Sequence, residues 1–125
     1  LFSNQDILKL ETIRDYCISK KAVSEEFPFD DITLVFKVMG KMFALTNIDK
    51  AESINLKCDP DLALELRVSY PEIVLPGWHM HKKHWNTILI DNSVEKEFLF
   101  KWIDHSYDEV VKKLPKKLKE ELNNL

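Results

Sequence analysis

The chain has 125 residues, 45% of them hydrophobic and 31% charged, which is the composition of a folded globular chain of one-domain size and excludes disorder as the default. A formal net charge of −3 argues against a dedicated duplex-DNA binder, whose affinity comes mostly from neutralising phosphates; any nucleic-acid contact must come from a local basic patch. No apolar run approaches the roughly 20 residues of a membrane span, the start lacks a signal-peptide core, and Cys17 and Cys58 show no CxxC spacing. The expectation is a cytoplasmic protein with two reduced thiols and no membrane partner.

Ser3 and Asp6 form a capping pattern, and Ile7, Leu10, Ile13 and Cys17 then recur at helical spacing, which predicts a helix over residues 4–20. Residues 24–31 read as a loop carrying two acidic pairs. Residues 32–38 and 42–48 are rich in β-branched and aromatic side chains and form a hairpin. Gly40-Lys41 at its centre suits a type II′ turn; a type I′ turn on Met39-Gly40 is disfavoured because it needs positive φ at Met39. A third strand covers 53–58. Asp59-Pro60 is an N-cap followed by proline at the first helical position, with Leu62 and Leu66 on one face and Pro71 as the stop.

A strand follows over 85–90, then a helix capped by Asn92-Ser93 with Phe98, Leu99, Trp102 and Ile103 as its apolar stripe. Ser106 and Glu109 repeat the capping-box spacing, so the chain is expected to break at His105 and restart. Pro115 opens a last helix bearing Leu118, Leu122 and Leu125. Strands joined by short turns, then helix, strand and helices, give a two-layer α+β domain: a mainly antiparallel sheet with helices on one face, formed by residues 1–125. The hairpin and the lack of a Gly-rich phosphate loop disfavour a doubly wound α/β fold.

The densest chemistry lies in PGWHMHKKHW at 76–85, which holds three of four histidines and two of three tryptophans. Three imidazoles are a known zinc-ligand set, and His79 and His81 in an extended segment would face one side. Lys82 and Lys83 between them oppose a cation, and no fourth ligand is marked, so no metal or other cofactor is expected. There is no nucleophile elbow, Walker loop or paired carboxylate set, so catalysis is not expected either; a Cys58/His84 pair is the one nucleophilic arrangement conceivable. The mixture of cations and aromatic rings suits nucleic acid, with phosphates on the charges and bases on the rings. Lys41 at the hairpin tip and Lys37 and Lys57 on neighbouring strands add charge. The bland alternative is that the tryptophans pack and the lysines are solvated. A second candidate patch is the run from Lys112 to Lys119, whose five lysines against Glu120 and Glu121 leave residues 112–125 at +3, though leucines at 114, 118 and 122 fit an ordinary amphipathic helix.

In combination, EFPF at 26–29 with LVFKVMGKMFAL at 34–45, NLKCDP at 55–60 with Leu66-Arg67, PGWHMHKKHWNT at 76–87, and SYD at 106–108 with Val110-Val111 resemble, in order, the signatures of the MmcQ/YjbR family. The usual pattern has asparagine at the position of His81, which makes the third histidine a local variation. The resemblance implies a frataxin-like (CyaY-like) α+β fold and the double-wing DNA-binding label attached to that family, with no catalytic residue. It places the nucleic-acid hypothesis on Lys37, Lys41, Lys57, Lys82, Lys83 and His84. An iron site of the frataxin kind is not expected, since the first helix offers only the scattered Asp6, Glu11 and Asp15. The alternative is a protein- or small-ligand-binding module that uses residues 76–87 as a pocket wall or interface. An apolar concavity lined by His84 and Trp85, with the lysines dispersed, would favour it.

Overall fold

The computed structural model describes residues 4–90 and 94–125, with side-chain environments from Leu10 onward. In chain order the elements are α1 (Asn4–Ser19), β1 (Val23–Glu26), β2 (Thr33–Val38), β3 (Lys41–Asn47), β4 (Ser53–Lys57), α2 (Pro60–Ser69), β5 (Val74–Pro76), β6 (Trp85–Leu89), α3 (Lys96–Lys112) and α4 (Lys116–Asn123). The strands form one antiparallel sheet in the order β1-β2-β3-β4-β6-β5. Helices cover one face of it, the two-layer α+β arrangement expected. The cap expected at Ser3 lies outside the described residues, as do Asn92 and Ser93, but α3 starts at Lys96 with Glu95 and not that pair at its N-cap.

Alternation along the strands divides the sheet into two unlike faces. Leu34, Phe36, Val38, Ile54, Leu56 and Ile88 point toward the helices and join Ile13, Cys17, Leu99, Trp102, Ile103 and Leu122 in the main core. Val35, Leu45 and Trp85 point the other way and form a small second cluster with Met42 and Met80. Asp59 caps α2 as expected, its carboxylate accepting from the amides of Asp61 and Leu62. The α1 and α3 helices are clamped by Tyr16, whose ring stacks on Phe100 at 3.8 Å and whose hydroxyl donates to Asp104 at 2.6 Å.

Four expectations need correction. Residues 23–26 form a strand, β1, paired antiparallel with β2, where a loop from 24 onward is expected, and a second short strand, β5, has no counterpart among the expected elements. Both lie at sheet edges, and Glu25 and Glu26 on β1 give that edge the charge that deters strand addition. The β2–β3 turn is the disfavoured type I′: Val38 pairs with Lys41, and Met39 and Gly40 take φ of 49° and 81°. The type I′ turn matches the twist of the strands, and the Met39 side chain packs against the core, offsetting its left-handed backbone. Finally, α3 runs unbroken through His105. The Ser106 hydroxyl does not cap a new helix but donates to the Phe43 carbonyl at 2.5 Å and accepts from the Lys57 amide at 2.8 Å. It does so beside a β-bulge that leaves Phe43 between the pairs Phe36–Ala44 and Lys37–Met42. The hydroxyl thus fills the gap where the β3–β4 ladder ends, and α3 is locked to the sheet.

Candidate nucleic-acid interface

The connection from β5 to β6 folds back over the face that bears no helix. It is a series of turns rather than an extended segment, with His79 at φ 60°. Trp78 is held at both backbone groups: its amide donates to Thr87 Oγ1 at 2.8 Å, and its carbonyl accepts from Asn55 Nδ2 at 3.2 Å. Thr87 Oγ1 in turn donates to Asn55 Oδ1 at 2.6 Å, which closes the network on the sheet. Gly77 approaches β6 so closely that a Cβ there would lie 2.8 Å from the Trp85 Cβ, and its amide donates to the Trp85 carbonyl at 2.9 Å. From the other side Arg67 of α2 donates to Asn86 Oδ1 at 2.7 Å, to the Trp85 carbonyl at 3.2 Å and to the Lys82 carbonyl. Sequence reasoning did not give Arg67 a role of its own. Its only signal was its place beside Leu66 in a family signature.

This geometry sorts the sequence-derived residues into two groups. Lys37 is engaged by Glu26 across the β1–β2 pair at 3.2 Å, and Lys82 turns inward so that its ammonium donates to the Gly77 carbonyl at 3.0 Å. Each ammonium thus already has a partner within the protein. Lys41, Lys57, Lys83 and His84 instead meet at one end of the sheet, where the hairpin tip, the end of β4 and the 81–84 turn converge. The Cys58 amide donates to the His84 carbonyl at 2.8 Å, which sets Lys57 beside that turn. Lys113, at the C-cap of α3, joins them; the sequence had placed it only within the C-terminal lysine run. Lys112, its neighbour, is taken by Glu109 at 3.0 Å.

The electrostatics record this convergence. Burial, with Lys113 and Lys41 nearby, lowers the Lys57 pKa below its ordinary value, Glu109 being the opposing charge. Burial together with His81, Lys113, Lys57 and Lys83 lowers that of His84. The imidazoles of His81 and His84 lie 5.0 Å apart, and His84 Nδ1 is buried without a hydrogen-bond partner. Among the described residues, Lys41, Lys57, Lys83 and Lys113 make no ion pair. The Cys58 thiol is pushed up to about 12 by burial first and by Asp59 and Glu109 next, which opposes the thiolate that a Cys58/His84 nucleophile needs. His79 lines a concavity that His81 and His84 do not, and among the described residues no three His, Cys, Asp or Glu side chains are placed to share a metal ion.

That concavity, about 490 Å³, lies over β3 and β4 on the same sheet face. Phe29, Met42, Trp78 and Met80 supply its apolar walls, and Thr46 and Asn55 lie among its polar groups. His84 and Trp85 do not line it. The 76–85 segment therefore serves two places: Trp78, His79 and Met80 wall the concavity, and Lys83 and His84 belong to the cationic end.

A family model described as YjbR matches residues 18–109. The uncharacterized protein YbdF of Escherichia coli O157:H7 is 34% identical over 108 residues, covering 86% of this chain and 88% of its own length. The uncharacterized protein YjbR of Escherichia coli strain K12 is 28% identical over 109 residues, covering 86% and 92%. The crystal structure of the Deinococcus radiodurans protein DR2400, a DUF419 domain, superposes with a TM-score of 0.84 at 40% identity, covering 91% of this chain and 87% of that one. Among the described residues no helix is long and apolar enough to cross a membrane. With the model match, the relatives and the shared fold in agreement, the chain belongs to the MmcQ/YjbR family.

Proposed function

We propose that this protein is a nucleic-acid-binding module that takes phosphates at the cationic end of its sheet, on Lys41, Lys57, Lys83, Lys113 and His84. The observation that carries this reading is the gathering of four lysines from four segments without an ion pair among the described residues, on a chain whose net charge is −3. Like charges held together raise the energy of the free protein, and a polyanion relieves that repulsion while releasing its own counterions. Lys37 and Lys82 drop out of the proposed contact set because Glu26 and the Gly77 carbonyl already hold them. The test is DNA affinity as a function of salt. A log–log slope of roughly −0.9 per phosphate contacted is expected, and Lys83→Ala and Lys113→Ala should each weaken binding and flatten the slope by about 1. Lys37→Ala should change neither. Equal effects at all three positions would refute the assignment.

The concavity favours a second reading, a small-ligand module with Trp78 and Met80 as pocket wall; its volume falls within the roughly 300–1,000 Å³ typical of ligand sites. Binding of a small apolar compound with no measurable DNA affinity would select that reading.

A further inference from the structure

We infer that the concavity on the open sheet face receives an unpaired nucleobase, so that the nucleic acid bound is single-stranded. This rests on the phosphate-binding reading above and deepens it. Two aromatic side chains border the concavity with much of their surface in water, Trp78 at 45% and Phe29 at 64% exposure. The other two tryptophans, Trp85 and Trp102, are buried. The Trp78 backbone is fixed by Thr87 and Asn55, so its ring stands on a rigid mount while its surface stays open. A half-exposed aromatic on a fixed backbone is a stacking platform, and stacking is open to any base because every base has a π-face.

The concavity and Lys57 are parts of one surface. Asn55, on the concavity, and Lys57 lie two residues apart on β4 and leave the same side of the strand, about 7 Å along it. Met42, also on the concavity, faces the open side, whereas Lys41 before it pairs with the core-facing Val38 and leaves the other side of the sheet at its end. A strand with a phosphate on Lys57 therefore has the apolar hollow as its next stop. A base entering it would meet Met42, Trp78 and Met80 as apolar surface and Lys50, Glu52 and Ser53 as hydrogen-bonding groups. A duplex keeps its base faces inside its own stack and has nothing to place there. Charge complementarity selects the polyanion over a neutral or cationic partner.

The test uses the full chain with three probes at one salt concentration: a 12-nucleotide oligo-dT, a 12-base-pair duplex containing it, and thymidine monophosphate. The single strand is expected to bind at least about 10-fold tighter than the duplex and to quench tryptophan emission. Trp78→Phe should remove the quenching but keep most of the affinity. Trp78→Ala, and separately Phe29→Ala at a site too exposed to threaten folding, should each lose about 10-fold for the single strand and little for the duplex, the scale of one lost stacking contact. Equal affinity for strand and duplex, or quenching that survives in Trp78→Phe, would overturn the inference while leaving phosphate binding intact. Monophosphate binding as tight as the oligonucleotide would also overturn it, because the hollow would then be a nucleotide site and not a strand reader. Failure of both the strand and the duplex to bind would remove the phosphate-binding reading as well.

Discussion

The sheet face beneath the helices and the face beneath the 76–85 segment are held by different means. Under the helices, side chains such as Phe36, Phe43, Ile54 and Ile103 are wholly buried, and order comes from close packing. Across the sheet the buried hydrophobic cluster among the described residues is Val35, Leu45 and Trp85, and the covering segment is held by hydrogen bonds with Asn55, Thr87 and Arg67. A layer fixed at its backbone keeps its side chains available, and that is where Trp78, Met80, Lys83 and His84 are displayed. The packed face supplies stability, and the hydrogen-bonded face supplies surface chemistry.

The contrast is broken most directly by truncating one side chain on each face. Ile103→Ala opens a cavity in the packed core and should cost about 2–5 kcal/mol, measured by urea denaturation. Trp78→Ala removes a larger side chain that is already half in water, and should cost about 1 kcal/mol. Equal losses at the two positions would mean that the covering segment is part of the core after all.

Gly77→Ala sharpens the comparison, because it disturbs the open face through its backbone. The new Cβ would meet the Trp85 Cβ at 2.8 Å and the Trp85 carbonyl oxygen at 2.9 Å, so the segment must lift and lose the Gly77–Trp85 hydrogen bond. The expected cost is about 1–3 kcal/mol, with faster amide exchange at Gly77 and Trp78 than in the parent chain. Unchanged stability and exchange would show that the close approach is not needed to dock the segment.

How much of this the sequence revealed follows the same division. The central strands, the Asp59 cap and the apolar stripe of α3 were legible because local pattern and tertiary role agree there. The edge strands β1 and β5 were not, since four and three residues carry little periodicity and are strands only through their partners. Ser106 misled because a hydroxyl three residues before a glutamate has the spacing of a cap, yet its partners are Phe43 and Lys57, both more than 45 positions away. In the candidate site, the six residues were named as one contact set, of which Lys41, Lys57, Lys83 and His84 lie at one end of the sheet, whereas Lys37 and Lys82 have partners within the protein. Composition records a charge but not the carboxylate or carbonyl that occupies it. Lys113 was overlooked as a member because only the unbroken α3 brings it to the hairpin end.

The smallest expected effect, and the most diagnostic of the open face, is a pH dependence centred on His84. Burial and the neighbouring His81, Lys113, Lys57 and Lys83 hold its folded pKa below the ordinary histidine value of 6.5. The unfolded chain therefore binds this proton more readily than the folded one. Its contribution to stability is fully present above pH 6.5 and falls as the pH drops through that value toward the lowered folded pKa. A bound phosphate acts in the opposite sense: it favours the imidazolium, so binding takes up a proton and affinity should rise over the same acid interval. In His84→Gln, the loss of stability on acidification should be shallower, read from urea midpoints between pH 7.5 and 5.5. The gain in DNA affinity over that interval should shrink as well, with His81→Gln as the comparison for the neighbouring ring. If His84→Gln flattens the stability profile and leaves the affinity profile unchanged, His84 is a half-buried ring near the cations and not a phosphate contact. Flattening of both profiles would put the proton and the phosphate on the same imidazole.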